Sequence, residues 1–320
     1  MVEPIYGDEG SNADEAATIT KKMILSDKVK AMVMGYDAMT VLSTRELCKQ
    51  YNLPMVCVAA SSPEVTDEGY YGLARIAATE PAWDRPAWRW AEQKRGAKTA
   101  FFLLGECDWA YVAKGSGEKY FAEPGTGELL ETVVYPLDTT DMSPMVARIM
   151  ALNPDFIFDY APMDLQIQLC RLLKEAGYKG EIIYCEDNLT TDLVTAGGEW
   201  VEGLYCDMSF VPNPNVPENK KFCEAFYKVN GVDPWGLEAQ SYEGAMLMMK
   251  AIDKAGTDSD LKAIADAMHS IDWVTAHGYP MKIAPDGQCR SEAVYMAQVV
   301  NGQIVVVDSL PITSEDWAAR

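Results

Sequence analysis

Residues 156–185 read FIFDYAPMDLQIQLCRLLKEAGYKGEIIYC, and this stretch decides the fold. Phe156 to Tyr160 reads as a strand, Leu165 to Ala176 as an amphipathic helix, and Glu181 to Cys185 as a second strand. Gly177, shortly after Lys174, has the place of a helix C-cap, where a residue without Cβ turns left-handed at little cost. Strand, helix and strand in this order form a crossover unit, the building block of a parallel sheet.

The same alternation extends in both directions. Upstream lie strands at Lys98 to Leu104 and Leu130 to Tyr135, with helices near Tyr111 to Phe121 and at Pro144 to Leu152. Earlier still, Val29 to Met34 is an apolar run ending at Gly35, Thr40 to Tyr51 is helical, and Pro54 to Ala59 reads as a buried strand. At the start, Val2 to Tyr6 reads as a strand and Asn12 to Leu25 as a helix, with Asn12 as its N-cap and Ala16, Ile19 and Met23 on one face. A tryptophan-rich helix covers Trp83 to Gln93. Downstream, the prolines of Met208 to Pro217 interrupt the rhythm before helices at Glu218 to Asn230, Leu237 to Ala255 and Ser259 to His269. Gly278 to Pro285 is strand-like, and Val294 to Val299 with Gln303 to Val307 form a hairpin around Asn301-Gly302, a pair that favours the primed turn.

A chain of 320 residues exceeds what one core usually organises. The rhythm breaks near Ala78 to Pro81, Met208 to Pro212 and Ile283 to Asp286. The expectation is two α/β lobes, each a mainly parallel sheet flanked by helices: 1–79 with 213–282, and 80–212 with 283–320.

Composition narrows the function. A net charge of −21 repels phosphate backbones and anionic lipid, which argues against a nucleic-acid or basic membrane-surface role. No apolar run approaches the roughly 18 residues of a spanning helix. The eight cysteines are scattered without a C-x-x-C pair and read as buried thiols. With His269 and His277 as the only imidazoles, neither a metal site nor a histidine-based triad is expected, and no cofactor is implied. The G-x-S-x-G, H-E-x-x-H and P-loop signatures are absent; Gly115-Ser116-Gly117-Glu118-Lys119 lacks the phosphate-loop spacing and reads as a flexible loop or helix entry.

Attention therefore falls on strand C-terminal ends, where open α/β sheets seat ligands. Tyr36, Met39 and Thr40 follow one strand, with Thr40 placed to cap the next helix beside N–H groups that suit a carboxylate. Ala59 and Ser61 leave the next strand with small side chains and a hydroxyl; an ordinary turn before Pro63 fits equally. Glu186 ends a later strand as a seat for an ammonium, although solvated loop acids are the commoner case. Trp83, Trp88, Trp90 and Trp109 are close in sequence and suit packing as well as ligand stacking.

The order of VEPIYGDEGSNADEA, SDKVKAMVMG, NLPMVCVAASSPEVT, DTTDMSPMVARIMALNPDFIF, EAGYKG and AQSYEGAMLMMKAIDKAG resembles the leucine/isoleucine/valine-binding family of periplasmic ligand-binding proteins, over nearly the whole chain. The resemblance implies the type I two-lobed fold, a non-enzymatic role, and a small amino-acid-like or organic-acid ligand held between lobes that close by a hinge. It also implies delivery to an ABC-type membrane permease, and a periplasmic or extracellular place, lipid-anchored in a Gram-positive cell. Family contacts carry over to Thr40 or Met39, the backbone of Ala59, Ser61 and Glu186. The tyrosine that the family places after an aspartate stands here as Trp109, after Asp108, which favours a bulkier or aromatic ligand; Tyr36 and Trp83 join it as candidates. Family members open with a signal peptide, a first strand and a long first helix, so the first lobe is expected to lack its first strand and helix. Two alternatives remain: a cytoplasmic amide or amino-acid sensor of the same fold acting through a partner on gene expression, and a carboxylate-based enzyme.

Overall fold

The computed structural model describes residues 2–319. The chain divides into two compact units, one running to Thr79 and resuming over Pro212–Ser291, the other spanning Glu80–Val211 and resuming at Glu292. In chain order, lobe 1 contributes α1 (Ala13–Lys22), β1 (Met32–Met34), α2 (Ala38–Tyr51), β2 (Met55–Cys57), α3 (Glu64–Asp67) and β3 (Leu73–Arg75). Lobe 2 follows with α4 (Glu80–Arg95), β4 (Thr99–Gly105), α5 (Asp108–Tyr120), β5 (Glu128–Tyr135), α6 (Ser143–Leu152), β6 (Phe156–Tyr160), α7 (Met163–Ala176), β7 (Glu181–Tyr184), α8 (Thr191–Gly197) and β8 (Tyr205–Met208). The chain returns to lobe 1 as α9 (Pro217–Asn230), α10 (Gly236–Ala255) and α11 (Leu261–His269), and ends in lobe 2 with β9 (Ala293–Val300), β10 (Gln303–Pro311) and α12 (Ser314–Ala318).

Lobe 1 is a three-stranded parallel sheet in the order β1-β2-β3. Period-two alternation along β2 sends Met55 and Cys57 into one cluster with Val41 and Cys48 of α2. Val56 goes to the opposite cluster with Leu247, Met248 and Ala251 of α10 and Ile264 and Met268 of α11. Asn12 caps α1 by accepting from the N–H groups of Asp14 and Glu15, as its position predicts. Val2 to Tyr6 is a correction: no strand forms there, and Val2, Ile5 and Tyr6 are exposed because the segment has no ladder partner.

Lobe 2 is a seven-stranded sheet, β10-β9-β8-β7-β6-β4-β5, parallel from β8 to β5 and antiparallel across β9 and β10. One face buries Phe101, Leu103, Ile157, Val146 and Leu169 beneath α6 and α7. On the other, fully buried Trp88 of α4 packs on Phe102 and Phe158 with ring centroids 5.2 and 5.3 Å away. Gly115 to Gly117 lies inside α5, not in a loop: Gly117 sits where a Cβ would collide with the Phe102 ring, so the glycine lets helix and strand approach. Arg89 grips Asp316 of α12 through two bonds of 3.0 and 2.9 Å, fastening the end of the chain to α4.

The third passage between lobes falls after Ser291 rather than at Ile283 to Asp286. The expected strand over Gly278 to Pro285 is reduced to isolated bridges, Val274 with Pro280 and Ile283 with Cys289. Backbone bonds from Arg75 N–H to Gly287 O and from Cys289 N–H to Arg75 O, each 2.8 Å, keep this segment in lobe 1. Residues 283–291 therefore belong to lobe 1 and not to lobe 2.

Candidate functional site

Parallel strands present their C-terminal ends along one edge, and in lobe 2 the ends of β6, β7 and β8 bring Tyr160, Glu186 and Asp207 there. Immediately after β7 the backbone does something costly. Glu186 and Asp187 are both left-handed, at φ +54° and +59°, a conformation that side chains with a Cβ disfavour. The neighbouring strand compensates: Asp207 Oδ1 accepts the Glu186 N–H at 2.9 Å, and Asp207 O accepts the Asp187 N–H at 3.1 Å. Asp187 in turn accepts from the Ser209 N–H at 2.8 Å and the Ser209 hydroxyl at 2.5 Å. Strain held by this many partners aims the Glu186 side chain.

Helix α4 adds two more carboxyls, Glu80 and Asp84, both completely buried, as is Asp207. Tyr160 donates to Asp84 Oδ2 at 2.7 Å. Asp84 Oδ1, Glu186 Oε1 and Asp207 Oδ2 are buried without a hydrogen-bond donor. Among the described residues no lysine, arginine or histidine offsets the charges of Asp84, Glu186 or Asp207. Burial first, then the charges of Glu80, Asp84 and Asp207, holds the Glu186 carboxyl well above the usual carboxylate range. Burial and the neighbouring Asp207 and Glu80 do the same to Asp84, against the opposing Tyr160 bond. Asp207 is pushed up to about 7 by burial, restrained by the Glu186 N–H.

A carboxyl whose pKa is raised by folding binds its proton more tightly in the native chain. Its stabilising contribution is full below the unfolded value and is lost as pH rises through the folded one, here between 3.8 and about 7 for Asp207. We expect the unliganded chain to lose stability relative to Asp207→Asn across that window, by up to about 1.4 kcal/mol per pH unit for each proton released. Urea denaturation of both chains from acid to neutral pH measures this; a constant difference would refute the titration.

Trp109, one residue into α5, is half-buried and its ring packs on Tyr160 with centroids 4.5 Å apart at 42°. It thereby joins the carboxyl group that includes Glu186. Trp83 sits beside the same group but is only 3% exposed, and its indole N–H donates to Asp207 O at 3.4 Å. It backs Asp207 rather than offering a face.

In lobe 1, Gly35 takes φ +115° as β1 turns into α2, and its carbonyl accepts the Ala59 N–H at 2.9 Å. Tyr36 and Met39 are 58% and 57% exposed at this end of the sheet. Thr40 is not the helix cap: Asp37 occupies that position, and Thr40, fully buried, donates its hydroxyl to Asp37 O at 3.0 Å. The helix starts two residues earlier than its apolar pattern suggests, which turns Thr40 inward and removes it as a ligand contact. Ala59 likewise spends its N–H on the sheet. Ser61 lies in a loop that buried Arg75 organises, donating to Ala60 O at 3.4 Å, to Ser62 O, and to Gln288 Oε1 at 2.6 Å.

Sequence reading overlooked Glu80, Asp84, Tyr160, Asp207 and Arg75. The signal was present in two of them: a charge flanked by apolar neighbours, as in Tyr205-Cys206-Asp207-Met208 and Leu73-Ala74-Arg75-Ile76.

Two α/β lobes joined by three chain passages, with candidate groups at strand ends, make up the two-lobed architecture of the type I periplasmic binding proteins. The chain belongs to the periplasmic binding protein family, which matches residues 1–303. A Leu/Ile/Val-binding protein homolog 6 of Brucella suis is 24% identical over 309 residues, covering 93% of this chain and 77% of that one. The leucine binding protein LivK of Thermotoga maritima superimposes with a TM-score of 0.84 at 25% identity, covering 95% of this chain and 86% of that one. A solute binding protein of an ABC transporter from Rhodopseudomonas palustris BisB5, in complex with 3,4-dihydroxybenzoic acid, gives 0.85 at 23% identity over 98% and 87%.

Proposed function

We propose that the chain binds a small amino-acid-like or organic-acid ligand and delivers it to an ABC-type permease, acting in the periplasm or at the outer cell surface. The observation that carries this reading is the Glu186 turn: a strained, multiply fastened backbone presenting a half-buried carboxyl, one oxygen of which is buried without a partner. A ligand ammonium supplies the missing partner, and Glu186 is its anchor. Tyr36, Met39 and Ser61 are the corresponding candidates within lobe 1, and a leucine binding protein and a solute binding protein in complex with benzoate among the similar structures support a ligand of that size. Among the described residues no helix is long and apolar enough to cross a membrane.

Unpaired cysteines are commonest in reducing compartments, which speaks for the intracellular sensor. Burial weakens that inference. It pushes Cys48 and Cys170 up to about 12 and Cys57 up to about 11, so these thiols stay protonated and resist oxidation in either compartment.

A thermal-shift screen against amino acids, amines, aromatic acids and amides tests the receptor reading, because a ligand that binds only the native state raises the melting temperature. At least one class is expected to do so; silence across all of them contradicts the proposal. For the winning ligand, Trp109→Ala should weaken binding by about 0.5–1.5 kcal/mol beyond the area lost. Unchanged affinity would place Trp109 outside the contact surface.

A further inference from the structure

Lobe 2 gathers more carboxyl charge around Glu186 than one ligand ammonium can neutralise. Asp84 and Asp207 are completely buried, and Asp84 Oδ1 and Asp207 Oδ2 lack a donor just as Glu186 Oε1 does. The three adjoin: the Glu186 N–H donates to Asp207 Oδ1 at 2.9 Å, and Trp83, the residue before Asp84 in α4, donates to Asp207 O at 3.4 Å. The groups facing them are Glu80 from α4, Tyr160 from β6, and Cys185 and Asp187 beside Glu186, none of them cationic. Buried charge without a partner is costly enough that such acids are normally paired. A second, independent feature adjoins them: the half-buried Trp109 ring lies against Tyr160, whose hydroxyl is committed to Asp84. Aromatic faces beside carboxylates attract cations, guanidinium above all, by cation–π and stacking contacts.

Resting on the receptor reading above, we infer that the ligand is a basic compound, bearing a guanidinium or a second ammonium, rather than a branched aliphatic amino acid or a benzoate. A guanidinium carries five N–H donors in a planar fork that suits more than one carboxylate oxygen. A singly charged amine leaves Asp84 and Asp207 to be neutralised by protons. A benzoate offers this wall only another carboxylate.

Isothermal titration of the whole chain with L-arginine, agmatine, L-leucine and 4-hydroxybenzoate tests the inference. The two guanidines are expected to bind about tenfold more tightly than L-leucine, or better, since they engage more of the desolvated carboxyls. Titrations in buffers of different ionisation enthalpy should show net proton release with the guanidines, because a bound cation draws protons off the acid group. Asp84→Asn, nearly isosteric and outside the hydrogen bonds that hold the strained turn, should cost the guanidines about tenfold more than it costs L-leucine. If that variant does not fold, the affinity ratio and proton release of the unmodified chain decide the matter. L-leucine or 4-hydroxybenzoate binding as tightly as the guanidines, or guanidines that fail to bind, overturns the basic-ligand inference and leaves the receptor reading standing. The receptor reading falls only if the wider thermal-shift screen is silent.

Discussion

Glu186→Gln is expected to weaken binding of the preferred amine-bearing ligand by about 2–5 kcal/mol, the range for truncating one partner of a buried charge pair. The change keeps the shape and hydrogen-bonding reach of the side chain, and it leaves the Asp207 and Ser209 bonds that hold the turn untouched. Loss of affinity therefore reports loss of charge, not collapse of the turn. Titration of both chains with the same ligand measures it, and an unchanged dissociation constant would reduce Glu186 to an ordinary strand-end acid.

Arg75→Met should destabilise lobe 1 by about 3–5 kcal/mol, which is typical when one member of a buried ionic or hydrogen-bonded network is removed. The guanidinium is fully buried and serves Gln288 through Nε and the Ala60 and Ser62 carbonyls through Nη1. Methionine fills comparable volume but leaves those acceptors bare. Arg75→Lys should rescue little, since one ammonium cannot reach the same divergent partners. Urea denaturation of the three chains provides the comparison; a loss under about 1 kcal/mol would show that water replaces the guanidinium readily.

What was legible in the sequence follows from which forces act locally. Phe156–Tyr160 and the hairpin at Asn301-Gly302 appear as read, because apolar runs and turn chemistry are determined by neighbours along the chain. Asn301 and Gly302, at φ +52° and +68°, take the left-handed pair that the primed turn requires. The strand at Tyr205–Met208, just ahead of the proline-rich break, went unread, since its pairing with β7 and β9 comes from residues distant in sequence. Val2 to Tyr6 failed for the converse reason: its pattern suits a strand, but no neighbouring strand pairs with it in the fold.

The candidate site was half visible. Glu186 could be found because it follows a strand, and Trp109 because the family resemblance pointed to its position. Asp84 could not, since only the folded chain brings a carboxyl on α4 under the hydroxyl of Tyr160 on β6. Thr40 shows the opposite error, in which a plausible cap residue turns inward once the helix begins at Ala38.

The most direct test is a crystal structure of the chain with the tightest ligand from the thermal-shift screen. The account predicts a ligand nitrogen within about 3.2 Å of a Glu186 carboxylate oxygen, ordinary charge-assisted hydrogen-bonding distance. A ligand seated with no nitrogen at Glu186, or with its carboxylate turned toward Asp84 and Asp207, would contradict it.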